Sequence, residues 1–420
     1  MAAPAMDRVS RPLRVLCTTQ PGVSHLLPMV PVLRALRRRG HEVLVASAPR
    51  LAPQITKTGL RAVPMGVDFI IGQEHTFVPA LAAARARRDV SFAYTRTVLV
   101  DALASAAVTD LRSLVRAWRP DIVVRDPVEF GGFAIAEALG VPHVTGRENR
   151  FLSTAAWASE LGESLTPLAR LAGVDALDAG QLYRYLGLAP TLPSLIAATP
   201  KLPNAREFDR HVGPTLRFVR PESYCGDAQS GRANGAHRGG PRVLVTFGTV
   251  FHDQPDLMRR MLVAASSLPA RFTVITGPGI DPAGFHPAPA NVFLTDFAPL
   301  GAVLPGCAAV VTVGGLGTVL AAIEHGVPMV VMPINADQPT NAARCEHLGI
   351  GITVPVATAT PATIAAAIIR VLTDDVVRAR VAQLAAELRS LPSADEAAEL
   401  VETVARTGES VPDLVESTAR

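Results

Sequence analysis

The stretch VVTVGGLGTVLAAIEHGVPMVVMPINADQPTN, residues 310–341, decides the fold of this chain. Its apolar β-branched start predicts a strand that breaks at Gly314 and Gly315, and the residues up to about Glu324 have a helical pattern that Gly326 ends. Glycine accepts positive φ and leaves no side chain between the turn and a ligand, so free N–H groups at the helix start can face an anion. The pattern therefore predicts a phosphate site.

A second strand follows at residues 328–332, and its carboxyl end leads to the polar pair Asp337 and Gln338. Open α/β sheets bind their ligands at such strand ends. Two alternatives exist, because glycine turns of this kind also occur with nothing bound and because Asp337 can simply cap the helix whose first turn contains Pro339. The two elements together favour a ligand site over either alternative.

The block GGLGTVLAAIEHGVPMVVMPINADQPTNAARCEHLGIG, residues 314–351, resembles the donor-binding half of the GT-B glycosyltransferases, particularly the actinobacterial antibiotic and macrolide enzymes. That family has an α/β fold of two facing Rossmann-like domains with a cleft between them. The resemblance implies that the glycine turn holds the diphosphate of a nucleotide sugar and that the Asp-Gln pair hydrogen-bonds sugar hydroxyls. It carries these roles to Gly314, Gly315, Gly317, Thr318, Asp337 and Gln338.

Composition narrows the function classes that fit this chain. With 420 residues, two α/β domains of about 200 residues each are expected. The formal net charge is only +3, so nucleic acid is not expected as a partner, and no run approaches the ~20 apolar residues of a membrane helix. The four cysteines show no paired spacing and no secretory signal is recognisable, which favours reduced thiols in a cytoplasmic protein. These are Cys17, Cys225, Cys307 and Cys345.

The N-terminal half begins with a βαβ pattern. A strand at residues 13–18 precedes a loop that contains His25, and a helix at about residues 26–39 then leads to a second strand at residues 41–46. Since α/β enzymes keep their chemistry at the carboxyl ends of strands, His25 occupies a position suited to catalysis. A lone histidine in a loop is otherwise more often a surface residue or a helix cap.

A further strand at residues 120–126 ends in Asp126, which is expected at the same edge of the sheet as His25. A carboxylate there can hold an imidazole in one tautomer and stabilise its protonated form. Asp126 can instead cap the helix that follows, and in that case Glu129 is the substitute partner for His25.

Two motifs in this half extend the resemblance. PGVSHLLP at residues 21–28 and RRGHEV at residues 38–43 match the family's N-terminal signature, which reads roughly P-G-x-x-H-x-x-P and then R-G-H-E-V after a helix. The resemblance implies that His25 is the general base and that Asp126 is the carboxylate behind it. The arginines that precede the second motif are expected on the solvated face and last turn of the helix: Arg34, Arg37, Arg38 and Arg39.

Residues 220–241 have the composition of a linker, with almost nothing to bury. This places one domain at residues 1–219 and another at residues 242–406, and the resemblance implies that the first binds the acceptor and the second the nucleotide sugar. Residues 407–420 are expected to form a tail that frays or returns to the first domain. The second half repeats the strand-then-glycine opening of the first, which predicts two Rossmann-like domains in tandem.

The resemblance assigns further donor contacts in the second half. Gly248 and Thr249 match the family's F-G-S/T turn near the phosphates and the sugar. The segment NVFLTDFAP at residues 291–299 resembles the one that packs against the nucleotide base, and Phe297 and Ala298 are its candidates for stacking and backbone contact.

Val313 departs from the family pattern, which has a histidine directly before the paired glycines. The lost contact is a hydrogen bond to a charged diphosphate, worth about 1.5–3 kcal/mol. We therefore expect reduced donor affinity with retained activity.

The resemblance implies a sugar transfer, and direct displacement would make it inverting. We expect it to be metal-independent, because the sequence has no Asp-x-Asp pair and no His/Cys ligand spacing. His25 would remove the proton of an acceptor such as a polyketide aglycone while the nucleotide diphosphate departs. The alternatives are a nucleotide-sugar epimerase of the same fold, a degenerate member that acts as a non-catalytic partner, and a dinucleotide-dependent oxidoreductase. The last lacks a G-x-G-x-x-G after the first strand. A homodimer or an auxiliary protein is also possible.

The nucleotide is expected to be thymidine diphosphate, and the reason is Ala321. Family members that use uridine diphosphate sugars commonly have a glutamate at this point of the helix, where it accepts hydrogen bonds from both ribose hydroxyls. Ala321 accepts neither, and a 2′-deoxyribose has no 2′-hydroxyl to satisfy. The alternative is that Glu324, one helical turn later, or a water takes the hydroxyls.

Overall fold

The computed structural model describes residues 11–86, 93–148, 151–198, 213–223, 240–248 and 253–411. These residues form two compact units. The first unit takes its residues from Met1–Pro190, Arg206–Val219 and Pro392–Arg420, and the second from Thr191–Ala205 and Arg220–Leu391.

The first unit is built on a seven-stranded sheet in which every neighbouring pair of strands is parallel. Its strands are β1 (Arg14–Thr18), β2 (Glu42–Ser47), β3 (Arg61–Pro64), β4 (Ile122–Arg125), β5 (His143–Thr145), β6 (Leu186–Pro190) and β7 (Leu216–Val219). Their spatial order is β3-β2-β1-β4-β5-β6-β7. The order reverses between β1 and β4, and this is where such sheets bind ligands.

The second unit contains a six-stranded parallel sheet. Its strands are β8 (Arg242–Thr246), β9 (Arg271–Ile275), β10 (Val292–Thr295), β11 (Ala309–Thr312), β12 (Met329–Val331) and β13 (Gly351–Thr353). The spatial order β10-β9-β8-β11-β12-β13 has its reversal between β8 and β11. Both units thus have the strand order of a Rossmann fold, which confirms the predicted fold class.

Helices cover both faces of each sheet. In chain order they are α1 (Val23–Leu26), α2 (Val30–Arg38), α3 (Ala52–Lys57), α4 (Pro79–Ala86), α5 (Ser105–Trp118), α6 (Phe130–Leu139), α7 (Thr154–Leu161), α8 (Leu165–Ala172), α9 (Pro193–Ala197), α10 (Pro255–Ser266), α11 (Leu300–Val303), α12 (Leu316–Glu324), α13 (Gln338–His347), α14 (Pro361–Thr373), α15 (Asp375–Ser390) and α16 (Ala394–Thr407). None of the helices in the described ranges is long and apolar enough to cross a membrane.

The core of each unit lies on both sides of its sheet. Along β1, Val15 and Cys17 face one hydrophobic cluster while Leu16 faces another. Along β8, Val243 and Leu244 divide between two clusters in the same way. Because both faces are covered, these strands are nearly continuous apolar runs, which is why the sequence identified them.

The helix that contains the arginine cluster differs from its predicted bounds. The helix expected at about residues 26–39 is divided into α1, a 3-10 turn at Leu27–Met29, and α2, so His25 lies inside a helical turn and not in a loop. Pro28 and Pro31 contribute to this division, because proline lacks the N–H that a continuous helix needs. The long helix that ends at Trp118 begins as a π-helix over Thr95–Ala104 before α5.

The C-terminal boundary predicted at residue 406 is wrong, because α16 belongs to the first unit. Its apolar face, which includes Ala397 and Val401, is buried in the same cluster as Leu33 and Leu36 of α2. A helix with one apolar stripe belongs with the surface that buries that stripe. Most of the predicted linker at residues 220–241 and the tail beyond residue 411 lie outside the described residues.

Polar contacts hold α16 on the first unit as well. Arg38 donates to Asp395 at 3.0 Å, Arg39 donates to Glu402 at 2.5 Å, and His41 Nε2 lies 2.7 Å from the same glutamate. Arg38 and Arg39, which were expected on the solvated face and last turn of α2, therefore also bind α16. Of the cysteines, Cys17, Cys307 and Cys345 are free thiols, while Cys225 lies outside the described residues.

Candidate active site

His25 is placed by a tight connection after β1. The backbone of Gly22 is extended and begins α1, and His25 lies in the only full turn of that helix. A Cβ added to Gly22 would lie 2.8 Å from the Ile71 side chain and 3.4 Å from the His25 ring, so a larger residue would displace both. The imidazole keeps 19% of its surface exposed, which leaves it reachable by a ligand.

Asp126 directly follows β4, the neighbour of β1 in the sheet. Its backbone N–H donates to the Thr18 carbonyl at 2.9 Å, so the carboxyl ends of the two strands are tied together. This places Asp126 Oδ2 only 2.7 Å from His25 Nδ1, as the shared strand edge predicted. The carboxylate is fully buried, and its Oδ1 accepts the Val128 N–H at 3.0 Å.

The Asp126 carboxylate is ionised. Burial alone would favour its neutral form, but His25, Arg147 and the Val128 N–H together lower its pKa to about 2. The Nδ1 of His25 must then donate a hydrogen to this anion, which leaves the lone pair on Nε2. An imidazole held in this tautomer is suited to accept a proton from a ligand.

Glu129, the substitute partner considered from the sequence, has a different task. It is the N-cap of α6 and accepts the N–H groups of Gly131 at 2.7 Å and Gly132 at 2.8 Å. Burial raises the pKa of this carboxyl. Because Glu129 caps α6 and Asp126 contacts His25, the alternative that Glu129 is the partner of His25 is wrong.

Arg147 also belongs to this assembly, and the sequence reading did not identify it. It follows β5, and the N–H of Gly146 donates to the Arg125 carbonyl at 2.8 Å, which fixes the strand end beside β4. Its Nη1 donates to Asp126 Oδ2 at 3.1 Å and lies 3.4 Å from His25 Nδ1. The available signal was the strand order, because polar residues after neighbouring parallel strands meet at one edge.

A buried polar network fixes the chain just after Arg147. Glu148 is 2% exposed, accepts the Phe151 N–H at 2.7 Å and accepts the Tyr183 hydroxyl at 2.5 Å. The Trp157 indole donates to the same Tyr183 oxygen at 3.0 Å. Burial raises the pKa of Tyr183 well above its usual value, so the phenol stays protonated and can donate.

In the second unit, the predicted glycine turn connects β11 to α12. Gly314 has φ +87°, and a Cβ there would lie 2.7 Å from Val331, so both the backbone and the space require glycine. A Cβ on Gly315 or Gly317 would meet nothing within 4 Å. Among the described side chains none caps the N-terminus of α12, so the turn keeps open space at a helix N-terminus, as an anion site needs. Thr318 lies in the same first turn and is 9% exposed.

The turn after β8 repeats that construction beside it. The hydroxyl of Thr246 accepts the Gly248 N–H at 3.3 Å, and the hydroxyl of Thr312 accepts the Gly314 N–H at 3.2 Å. The two threonines are partners in the β8–β11 pair. Gly248 thus lies next to the predicted phosphate turn, while Thr249 lies outside the described residues.

Val313 lies between these turns with its side chain in the core. It is 2% exposed and shares a hydrophobic cluster with Phe247 and Met332. At this position the side chain contributes packing, and the candidate anion site next to it is made of backbone.

Asp337 and Gln338 begin α13. Asp337 occupies the N-cap position, but its side chain makes no cap hydrogen bond, and its Oδ2 accepts the Asn341 Nδ2 at 2.9 Å. The predicted alternative of a simple helix cap is therefore wrong. The Oε1 of Gln338 accepts the N–H groups of Ile334 at 2.8 Å and Asn335 at 2.9 Å, so its amide N–H₂ is the end left for a ligand.

Asn341 connects these residues to the glycine turn, a role that the sequence reading did not assign. Its Nδ2 donates both to the Gly314 carbonyl and to Asp337, each at 2.9 Å, and its Oδ1 accepts from Arg344 at 3.1 Å. One buried amide thus fixes the position of the turn relative to the Asp337 carboxylate.

The remaining predicted donor residues divide by exposure. Phe297 is 50% exposed, while Ala298 is 9% exposed and packs in the core. Ala321 is 3% exposed within the same core cluster. Glu324 accepts the Ser223 N–H at 3.0 Å and the Ser223 hydroxyl, so this carboxylate already has partners.

This chain is similar to known proteins over most of its length. The model of the erythromycin biosynthesis protein CIII-like N-terminal domain matches residues 34–154, and that of the C-terminal domain matches residues 273–404. The tylactone mycaminosyltransferase of Streptomyces fradiae is 30% identical, with 91% of this chain and 90% of the relative covered. The elloramycin glycosyltransferase ElmGT of Streptomyces olivaceus is 32% identical, with 92% and 97% covered.

Solved structures agree with these relatives. The glycosyltransferase SnogD from Streptomyces nogalater superposes with a TM-score of 0.75 at 27% identity, covering 94% of this chain and 100% of that one. The glycosyltransferase VinC, solved in complex with dTDP, gives a TM-score of 0.73 at 28% identity, with 94% and 99% covered.

Proposed function

Since this chain belongs to the erythromycin biosynthesis protein CIII-like glycosyltransferases and has their GT-B fold, we propose that it transfers a sugar from a dTDP-sugar to a hydroxylated natural-product aglycone, with inversion and with His25 as the base. The observation that carries the catalytic part is the 2.7 Å contact of His25 Nδ1 with a buried, ionised Asp126. General bases of this kind need a fixed tautomer and a counter-ion for the proton they take.

The proposed step is a direct displacement. His25 Nε2 removes the proton from the acceptor hydroxyl as its oxygen attacks the anomeric carbon, and the bond from that carbon to the diphosphate oxygen breaks. The electron pair of that bond leaves with the nucleoside diphosphate, and the imidazolium is stabilised by Asp126. One displacement inverts the anomeric configuration.

The leaving diphosphate would be held by the turn of Gly314, Gly315, Gly317 and Thr318, with Gly248 beside it. Thr249, which the sequence assigns to the same ligand, lies outside the described residues. Backbone N–H groups and the positive end of α12 are suited to the charge that develops on the leaving group. No cluster of three or more His, Cys, Asp or Glu that could hold a metal occurs in the described part of the chain. Charge stabilisation is assigned to the backbone N–H groups of the turn and to the positive end of α12.

The sugar would be bound by Asp337 and Gln338. Because Asn341 occupies Asp337 Oδ2, we assign Oδ1 to accept from a sugar hydroxyl. Because Gln338 Oε1 is occupied by two backbone N–H groups, its amide nitrogen is assigned to donate to a sugar oxygen. We assign Phe297 and Ala298 to the nucleotide base, and the exposed Phe297 ring suits stacking.

Two observations support thymidine over uridine. Ala321 offers no acceptor for ribose hydroxyls, and Glu324, the alternative acceptor, already binds Ser223. Among the relatives, one is named TDP-daunosamine transferase DnrS, from Streptomyces peucetius, at 28% identity, and VinC was solved with dTDP.

The names tylactone mycaminosyltransferase and elloramycin glycosyltransferase support a natural-product aglycone as the acceptor.

The test is turnover of the purified chain with a panel of dTDP- and UDP-sugars against macrolide and aromatic polyketide aglycones. We expect a glycoside by mass spectrometry, an anomeric configuration opposite to that of the donor by NMR, and full activity in the presence of EDTA. Retention of configuration would refute the displacement. Release of nucleotide without any acceptor would support the epimerase alternative. None of the residue contacts described above supports that alternative.

A further inference from the structure

We infer that Arg147 is a positioning residue of the base assembly, which fixes Asp126 against His25 and holds a permanent positive charge beside the imidazole. This inference rests on the proposed role of His25 as the general base. It assigns a function to Arg147, a side chain outside both the glycine turn and the His25–Asp126 pair.

Two donors converge on one carboxylate oxygen. Asp126 Oδ2 lies 2.7 Å from His25 Nδ1 and 3.1 Å from Arg147 Nη1, and the two nitrogens are 3.4 Å apart. Arginine has no acceptor, and it remains charged throughout the pH range of enzymes. Because Nδ1 of His25 donates its own hydrogen to Asp126, both nitrogens are donors. The 3.4 Å approach is therefore a close contact of a fixed cation with the imidazole and not a hydrogen bond between them.

This arrangement opposes a second proton on the pair at either site. If the proton joins His25, the imidazolium meets a guanidinium at the same oxygen, and like charges this close disfavour each other. If it joins Asp126, the carboxyl group loses its attraction for Arg147. In both cases the neutral imidazole beside the carboxylate, the state needed in a general base, is favoured.

The other charged or titratable groups around the pair do not share this position. Glu129, at the start of α6, binds the N–H groups of its own helix. Arg125, on β4, donates to the main-chain oxygens of Asp126, Pro127 and Leu182. Burial raises the pKa of the Cys17 thiol on β1, so it stays neutral. Of the described side chains, Arg147 is the cation in hydrogen-bond contact with the Asp126 carboxylate.

The primary experiment is the pH dependence of kcat/KM for Arg147→Gln, Arg147→Lys and the wild type. Removing a like charge at this distance is expected to move the acid limb of Arg147→Gln upward by about 1–3 pH units, with activity recovering at alkaline pH. Arg147→Lys keeps the charge and should keep its acid limb close to that of the wild type. Arg38→Gln is the matched control, since its exposed side chain pairs with Asp395 in the same unit, and its profile should be unchanged.

A second measurement does not depend on turnover. The imidazole of His25 is titrated by ¹⁵N NMR in the wild type and in Arg147→Gln, with His25→Ala used to assign the resonance. We expect the protonated form to persist to higher pH in Arg147→Gln. Identical titration curves in a folded variant, or a loss of kcat/KM by the same factor at every pH, would overturn the inference.

The outcomes also separate this inference from the proposed function. If His25→Ala retained the activity of the wild type, the base assignment itself would be wrong. If His25→Ala were inactive while Arg147→Gln kept the acid limb of the wild type, the base would stand and the role of Arg147 would be refuted.

Discussion

The two candidate subsites are built in different ways. In the first unit, the candidate site consists of the side chains of His25 and Asp126, which are held by hydrogen bonds to each other, to the Val128 N–H and to Arg147. In the second unit, the turn at Gly314 offers backbone N–H groups and open space, and its conformation depends on Thr312 and Asn341. Proton transfer needs a tuned side chain, whereas binding an anion that is about to leave needs fixed dipoles. Substitutions should therefore affect turnover in the first unit and donor affinity in the second.

The largest effect is expected in the first unit. His25→Ala should lower kcat by ~10²–10⁴ with little change in the affinity for the nucleotide diphosphate, because it removes the proton acceptor only. Steady-state kinetics with an alcohol acceptor, together with calorimetric titration of dTDP, measure the two quantities. Turnover close to that of the wild type would contradict the mechanism. A large loss of dTDP affinity would contradict the expectation that substitutions in the first unit affect turnover and not donor binding.

In the second unit, Asn341→Ala tests the connection between the turn and Asp337. A buried acceptor left unpaired costs about 1–3 kcal/mol, so dTDP-sugar affinity should fall by roughly 5- to 150-fold while kcat falls less. Asn341→Asp keeps the volume but loses both donated hydrogen bonds, and should be at least as damaging.

The matched control for Asn341 is Asn291→Ala. The Asn291 amide also donates to main-chain carbonyls within this unit, those of Ala265, Leu268 and Ala270. This variant should be less stable but bind dTDP normally once folded. Normal binding by Asn341→Asp would show that the position contributes packing alone.

The sequence predicted the candidate site residues that come directly after a β-strand. It predicted the turn at Gly314 and the meeting of His25 with Asp126, because parallel strands place their carboxyl ends at one edge. It missed Arg147, since identifying it requires knowing that β5 lies beside β4. It also missed the docking of α16, because an amphipathic helix indicates only that one face is buried and not which surface buries it.

Val313 is a smaller perturbation of the donor site. We expect Val313→His to bind nucleotide diphosphate about tenfold to a hundredfold more tightly, since a hydrogen bond to a charged group contributes ~1.5–3 kcal/mol. Because Val313 is 2% exposed among apolar residues, the variant should also melt at a lower temperature. Calorimetric titration of folded protein gives the affinity, with Val313→Leu as the control for altered packing. Equal or weaker binding by the histidine variant would exclude a lost phosphate contact.

The smallest effect concerns the nucleotide and depends on Ala321. Thymidine and uridine diphosphates differ at the 2′-hydroxyl, and a buried hydroxyl without a partner costs about 1–3 kcal/mol. Because Ala321 offers no acceptor for that hydroxyl, the wild type should bind dTDP more tightly than UDP; Glu324, the alternative acceptor, already accepts two hydrogen bonds from Ser223 at Oε2. Ala321→Glu should shift the ratio of the two dissociation constants toward UDP. The ratio is the right quantity, because a glutamate at a position that is 3% exposed will also weaken binding of both nucleotides through lost stability. Competition binding of the two diphosphates measures it directly. A wild-type preference for UDP, or an unchanged ratio in the folded variant, would show that ribose recognition does not depend on this position.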